Sequence, residues 1–209
     1  MAKGGSYERD ICWELSRWCS GRSDELIYWR TSNSGGGATV RKRKGIKNRA
    51  HAGDITAIEE KGRFLTDLIT FELKRGYTNN ANFHSLLDFK RQTKGGKKIP
   101  QKKYEEWIEQ ASTAAETAGT QYWMIVHRRD KAEAFCFFPN ELFAQLHMGP
   151  LPRPFAVIQV DARFSDGTVK PFSLIGMKWR HFLFHVDPND IRRVVYGEAG
   201  HAKENDKSK

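Results

Sequence analysis

Three residues in the first half of the chain combine types and spacing that can do chemistry: Asp54, Glu72 and Lys74. Glu72 and Lys74 stand two apart in Phe71-Glu72-Leu73-Lys74, the end of an apolar run from Phe64 that is rich in β-branched and aromatic residues. Such a run predicts a strand closed by Arg75-Gly76. Side chains alternate across a strand, so a carboxylate and an ammonium point together from one face while Phe71 and Leu73 go to the other. Gly53-Asp54-Ile55-Thr56-Ala57-Ile58 predicts a second strand, joined to the first by a hairpin turn over Glu59 to Arg63. Pairing the two sets Asp54 beside Glu72. Carboxylates about 4 Å apart repel by roughly 4 kcal/mol at an effective dielectric of 20, so the pair needs a proton or a cation between its members. Hard oxygen ligands suit Mg2+ or Mn2+, and Lys74 would hold or deprotonate a water for attack on a phosphate that the ion polarises. A lone E-x-K triplet is common by chance and reads more simply as a surface ion pair. The elements around it must decide.

The formal net charge is +10 over 209 residues, and the cations are grouped. Arg41, Lys42, Arg43, Lys44, Lys47 and Arg49 follow the loop Ser32-Asn33-Ser34-Gly35-Gly36-Gly37 and precede Asp54. Lys90, Arg91, Lys94, Lys97, Lys98, Lys102 and Lys103 form a second cluster after Lys74. Basic groups on both sides of an acidic centre fit nucleic acid gripped through its phosphates. The glycine-rich loop has neither of the strand-to-helix fingerprints of nucleotide cradles, so a nucleotide cofactor is not expected. No run is apolar enough to span a bilayer and the polar start lacks a signal peptide, which predicts a soluble protein of the cytoplasm of a bacterial or phage-infected cell. Cys12, Cys19 and Cys136 have no metal-type spacing and read as reduced core residues.

The elements that must carry these residues are legible in outline. Ser6 reads as the cap of a helix to about Cys19, with Gly21 as its stop and Ile11, Cys12, Leu15, Trp18 and Cys19 as its apolar stripe. Glu8 lies at the head of that stripe and leans toward the protein body. Leu26 to Arg30 predicts a strand, and Phe83 to Phe89 a short amphipathic helix. A helix over Lys102 to Ala118 carries Gln110 beside its apolar stripe and ends at Gly119. Strands are predicted at Tyr122 to His127, Ala134 to Phe138, Phe155 to Val160 and Phe172 to Val186, with a short helix at Asn140 to His147 and a last helical turn opened by Asp187-Pro188. His181 and His185 have a metal-like spacing only on a helix, and their segment reads as strand, so a zinc site is not expected there.

Taken in order, Gly4-Gly5-Ser6-Tyr7-Glu8-Arg9, Trp29-Arg30-Thr31-Ser32-Asn33-Ser34-Gly35-Gly36, Gly53-Asp54-Ile55, Glu72-Leu73-Lys74 and the helix with Gln110 before a strand resemble the PD-(D/E)XK nuclease superfamily. Within it the nearest likeness is to archaeal-type Holliday junction resolvases and their phage and bacterial relatives. The likeness covers residues 4 to 138. It implies an α/β restriction-endonuclease-like core, a mixed sheet flanked by helices; beyond it, residues 139–196 read as a β-rich C-terminal extension packed on that core and 197–209 as a charged, disordered tail. It implies a divalent ion on Asp54 and Glu72, a catalytic lysine at Lys74, support of the ion by Glu8, and contact of Ser32 or Ser34 with the cleaved strand. This sequence departs from the pattern in having Gly53 where proline is frequent, a long basic segment before Asp54, and extra residues between Lys74 and the following helix.

The function expected is a Mg2+-dependent DNA endonuclease, with Mn2+ a possible substitute, that leaves a 5′-phosphate and resembles a junction resolvase of recombination, repair or phage DNA processing. Ser34, Arg41, Lys42, Arg43, Lys44, Lys47, Arg49, Arg75 and Gln110 would contact DNA, and paired cuts across a junction imply a homodimer. The rivals are a restriction-type duplex nuclease without junction preference and an inactive DNA-binding protein of the same fold.

Overall fold

The computed structural model describes residues 3–22, 24–31, 53–77, 99–146 and 154–197. Chain order is helix α1 (Lys3–Ser20), strand β1 (Tyr28–Arg30), strand β2 (Ile55–Ala57), a 3-10 turn (Glu60–Gly62), helix α2 (Arg63–Leu68) and strand β3 (Ile69–Arg75). Helix α3 (Lys103–Ala118), strands β4 (Tyr122–Arg128) and β5 (Ala134–Pro139), and helix α4 (Asn140–Gln145) follow. Strands β6 (Phe155–Arg163) and β7 (Val169–Lys178) and helices α5 (Trp179–His185) and α6 (Pro188–Tyr196) complete the described part.

A five-stranded sheet runs in the order β3-β4-β5-β7-β6, and β1 and β2 form an antiparallel ribbon. Only β3 and β4 are parallel, with Glu72 opposite Ile125 and Lys74 opposite His127. A parallel pair needs a long crossover, and α3 supplies it. The sheet is therefore mixed and has helices on both faces, the α/β architecture expected. On one face Tyr7 and Leu15 of α1, Phe64 of α2, Phe182 of α5 and Ile191 of α6 pack over Phe71, Met124, Cys136 and Phe138. On the other, Tyr104, Trp107, Ile108 and Ala111 of α3 cover Trp123, Ile125, Phe137 and Ile158. Residues 155–178 lie within the same sheet, because β7 pairs with β5 and β6 with β7.

Several local expectations are corrected. The run from Phe64 to Lys74 is not one strand: its first part is α2, which buries Phe64, Leu65 and Leu68 at helical spacing and exposes Arg63 and Asp67. Helical burial of three apolar side chains outweighs the strand propensity of the segment. For the same reason there is no hairpin over Glu59 to Arg63. The 3-10 turn and α2 fill that connection, and β2 pairs with β1, Arg30 opposite Ile55. Ser6 is inside α1 and does not cap it. Gly21, at φ +66, follows its last residue. The strand predicted from Leu26 begins at Tyr28. Residues 179–185 are a helix, because Trp179, Phe182 and Val186 recur at helical spacing on the core face while Phe184 is 83% exposed. His181 and His185 do share a helix, their ring centroids 6.4 Å apart. Among the described residues, no group of three or more His, Cys, Asp or Glu side chains is placed to hold a metal.

The predicted helix at Phe83 to Phe89 and the cations Lys90, Arg91, Lys94, Lys97 and Lys98 lie outside the described residues. So do His147 at the end of the predicted fourth helix and all of the 197–209 tail after Gly197.

The two phenylalanines at the extremes of burial give a test of this packing. Phe138 is fully buried, its ring 5.7 Å from that of Phe182. Phe138→Ala should cost about 3–5 kcal/mol in urea unfolding, and Phe184→Ala should stay within about 0.5 kcal/mol of the parent. Equal effects would mean that the sheet does not pack as described.

Candidate active site

The site is built on β3, an edge strand of the five-stranded sheet. Pleating turns Phe71 and Leu73 into the core under α1 and sends Glu72 and Lys74 toward α3. Glu72 is only 3% exposed, and its carboxylate receives the Lys74 ammonium. Lys74 Nζ also donates to Gln110 Oε1 at 2.9 Å, which ties the end of β3 to the middle of α3.

Asp54 reaches Glu72 by a route other than the expected hairpin. Its N–H donates to the Phe71 carbonyl (2.8 Å), and the Leu73 N–H donates to its Oδ2 (2.7 Å). Residues 71 and 73 flank Glu72, so the two bonds hold Asp54 alongside it. From the other side Thr31 N–H donates to the Asp54 carbonyl (2.9 Å), and the Thr31 hydroxyl donates to the Gly53 carbonyl (2.8 Å). Thr31 is itself 2% exposed. The sequence assigns Thr31 no role, although it stands directly after β1.

Gly53 explains why this chain does without the proline frequent at that position. Its φ is +81, which the proline ring cannot adopt. A Cβ there would come within 2.8 Å of Thr70 Cγ2 and 2.9 Å of the Phe71 carbonyl oxygen. Glycine lets the backbone turn and lie against β3, and Asp54 follows.

Burial and mutual repulsion dominate the electrostatics. The Asp54 carboxyl is pushed up to about 8, first by desolvation and then by Glu72, against the opposing pull of the Leu73 amide and Lys74. The Glu72 carboxyl is also raised by burial, with Lys74 opposing and Glu8 adding to the shift. Glu8 acts on both from α1, while its Oε2 accepts from Arg30 Nη1 at 3.3 Å. The same desolvation, with Glu8 and Asp54, lifts the buried Cys12 thiol to about 12 and keeps it protonated.

Glu8, Asp54, Glu72, Lys74 and Gln110 are thus brought to one end of β3. Arg75 turns to the other side of the strand, where its Nη1 donates to Ser6 Oγ at 3.0 Å. Ser32, Ser34, Arg41, Lys42, Arg43, Lys44, Lys47 and Arg49 lie outside the described residues.

The donor set fits a hard divalent ion: the buried Glu72 carboxylate and the half-buried Asp54 carboxylate beside it, one of the two holding a proton near neutrality when nothing else balances it, with Glu8 acting on both from α1. The folded state binds the extra proton, because the Asp54 value lies above its unfolded one. Its stabilising effect is complete below about pH 4 and drains away as pH rises toward 8. In EDTA, the thermal midpoint of the parent relative to Asp54→Asn should fall steadily over that window, with Asp54→Asn the more stable at pH 8. A pH-independent difference would contradict the burial of this pair. Gly53→Ala should cost about 1–3 kcal/mol in denaturant unfolding; an unchanged midpoint would mean that Asp54 is not held in this way.

No curated protein and no solved structure gives a match. A family model does: the family described as "Phage putative PDDEXK endonuclease" matches residues 1–193, well past residue 138 where the motif likeness ends. The match takes in α1, the ribbon, β3, α3 and the later strands together. The chain belongs to this PDDEXK endonuclease family, a family of nucleases, and its fold is restriction-endonuclease-like.

Proposed function

We propose that the chain is a Mg2+-dependent endodeoxyribonuclease of the junction-resolvase kind, with Asp54 and Glu72 as metal ligands, Lys74 as the catalytic cation and Glu8 as a supporting acid. The observation that carries this reading is the half-buried Asp54 held alongside the buried Glu72, with Lys74 bridging Glu72 and Gln110. A bound divalent ion supplies Lewis acidity toward a phosphoryl oxygen and toward water. The chain's own groups do the rest. Leu73 N–H fixes Asp54 Oδ2 and so directs the other carboxylate oxygen toward the site. Gln110 and Glu72 each take one Lys74 N–H, which leaves the ammonium a further donor for the attacking water or a non-bridging phosphate oxygen. Arg30 Nη1 donates to Glu8 Oε2 and offsets part of its charge beside the other acids. Hydrolysis leaving a 5′-phosphate is what the likeness to PD-(D/E)XK nucleases implies, and the net charge of +10 favours the DNA polyanion. Ser32 or Ser34 would touch the cleaved strand, and the cations from Arg41 to Arg49 its backbone. A homodimer would give the paired cuts that a four-way junction needs.

Junction, duplex and single-stranded DNA incubated with Mg2+ test the reading. Cleavage should require the ion, with Mn2+ replacing it. Asp54→Asn, Glu72→Gln and Lys74→Ala should each lower the rate at least about 100-fold while DNA affinity stays near the parent's. A folded, DNA-binding parent that cuts none of the three substrates would remove the catalytic assignment. Equal cutting of junction and duplex would replace the resolvase reading by a duplex nuclease.

A further inference from the structure

Just past the site the backbone does something costly. Gly76 and Tyr77 both have positive φ, +90 and +60. Glycine takes such angles freely, whereas a bulky side chain there is strained. The turn is fastened to β4: Gly76 N–H donates to the Arg128 carbonyl (2.9 Å), and His127 Nε2–H donates to the Gly76 carbonyl (3.0 Å). Strain of this sort persists where the surroundings impose it and gathers at functional positions.

The strained side chain is aromatic and 45% exposed. Its ring meets Trp107 edge to face at 5.2 Å, and Lys103 Nζ lies over it at 5.6 Å. Trp107 is buried and braced by Tyr104 and His127, at 4.9 and 4.8 Å. Lys103, Trp107 and Gln110 are spaced to share one face of α3. The helix face that reaches Lys74 through Gln110 therefore also supports Tyr77, about one turn away. An exposed ring on a rigid aromatic base, beside an ammonium and next to the reacting centre, is suited to stacking on a nucleobase.

We infer that Tyr77 is a stacking platform for an unpaired or end-exposed base next to the cut, and that it makes branched or flapped DNA a better substrate than continuous duplex. The inference rests on the DNA-cleaving reading of the same site. Within a continuous duplex both faces of every base are already covered by neighbours. A ring gains a partner only at a branch point, a flap, an end or a flipped nucleotide. Lys103, ion-paired with Glu106, holds its ammonium over the ring and so braces the platform.

Binding measured in EDTA separates this inference from catalysis. A four-way junction and a flap, each with 2-aminopurine at the branch, are compared with a continuous duplex. The parent should bind the branched DNAs more tightly and quench the probe. Tyr77→Ala should weaken branched binding about tenfold and lose the quench, with duplex affinity changed less than about twofold. Tyr77→Phe should restore both, and all three proteins should share a circular dichroism spectrum. Undiminished branched binding or quench in Tyr77→Ala overturns the inference. Equal loss on all DNAs, failure of Tyr77→Phe to restore binding, or a parent without preference for branched DNA also overturns it. If the binding results hold while Mg2+ elicits no cleavage, the nuclease reading fails and the stacking platform remains.

Discussion

A buried and a half-buried carboxylate set beside each other at a sheet edge are the constraint around which this molecule is arranged. Asp54 and Glu72 lie where water reaches poorly, and both are pushed toward the protonated form by burial before any neighbour is counted. A protein gains nothing in stability from such a pair, since removing charges from water costs several kcal/mol per group even after relaxation. The surrounding bonds accept this cost and fix its position. β3 carries Glu72 and Lys74, α3 anchors Lys74 through Gln110, and four hydrogen bonds from Thr31, Leu73 and to Phe71 hold Gly53 and Asp54 in place.

The edge location matters as much as the burial. An interior strand would have neighbours on both sides and no room for a second acid. β3 is paired through β4 on one side only, and the ribbon of β1 and β2 comes up to its other side near Asp54. The acid from the ribbon and the acid from the sheet then meet across the gap between two separately paired units. Gly53 makes the approach possible, because any side chain at φ +81 with Phe71 oxygen so close would push the ribbon away. This is also why the proline frequent at that position elsewhere has no place in this chain.

Much of this was legible in the residues. Alternation along Phe71-Glu72-Leu73-Lys74 located the acid and the lysine on one face, and the stripe of Tyr104, Trp107, Ile108 and Ala111 with Gly119 behind it located α3. What escaped was decided by tertiary contacts. Phe64 and Thr66 have strand propensity, yet a core beneath α1 accepts Phe64, Leu65 and Leu68 in helical spacing. The aromatic run after Trp179 has both periods, and only the position of Phe182 against Phe138 and Trp18 selects the helical one. Asp54 is expected beside Glu72 through a hairpin between their two runs, whereas β2 pairs with β1 and Asp54 reaches β3 through its bonds to Phe71 and Leu73. Thr31 and Tyr77 had no readable signal of their own, because a threonine after a strand and a tyrosine after a glycine are unremarkable until φ angles and partners are known.

If the pair exists to hold a cation, the ion must displace the proton that the pair otherwise keeps. Titration of Mg2+ into the protein near pH 7, in buffers of different ionisation enthalpy, measures this directly. The account predicts one binding event that releases about one proton and disappears in Asp54→Asn. Binding that releases no proton, or that survives the loss of Asp54 unchanged, would contradict it.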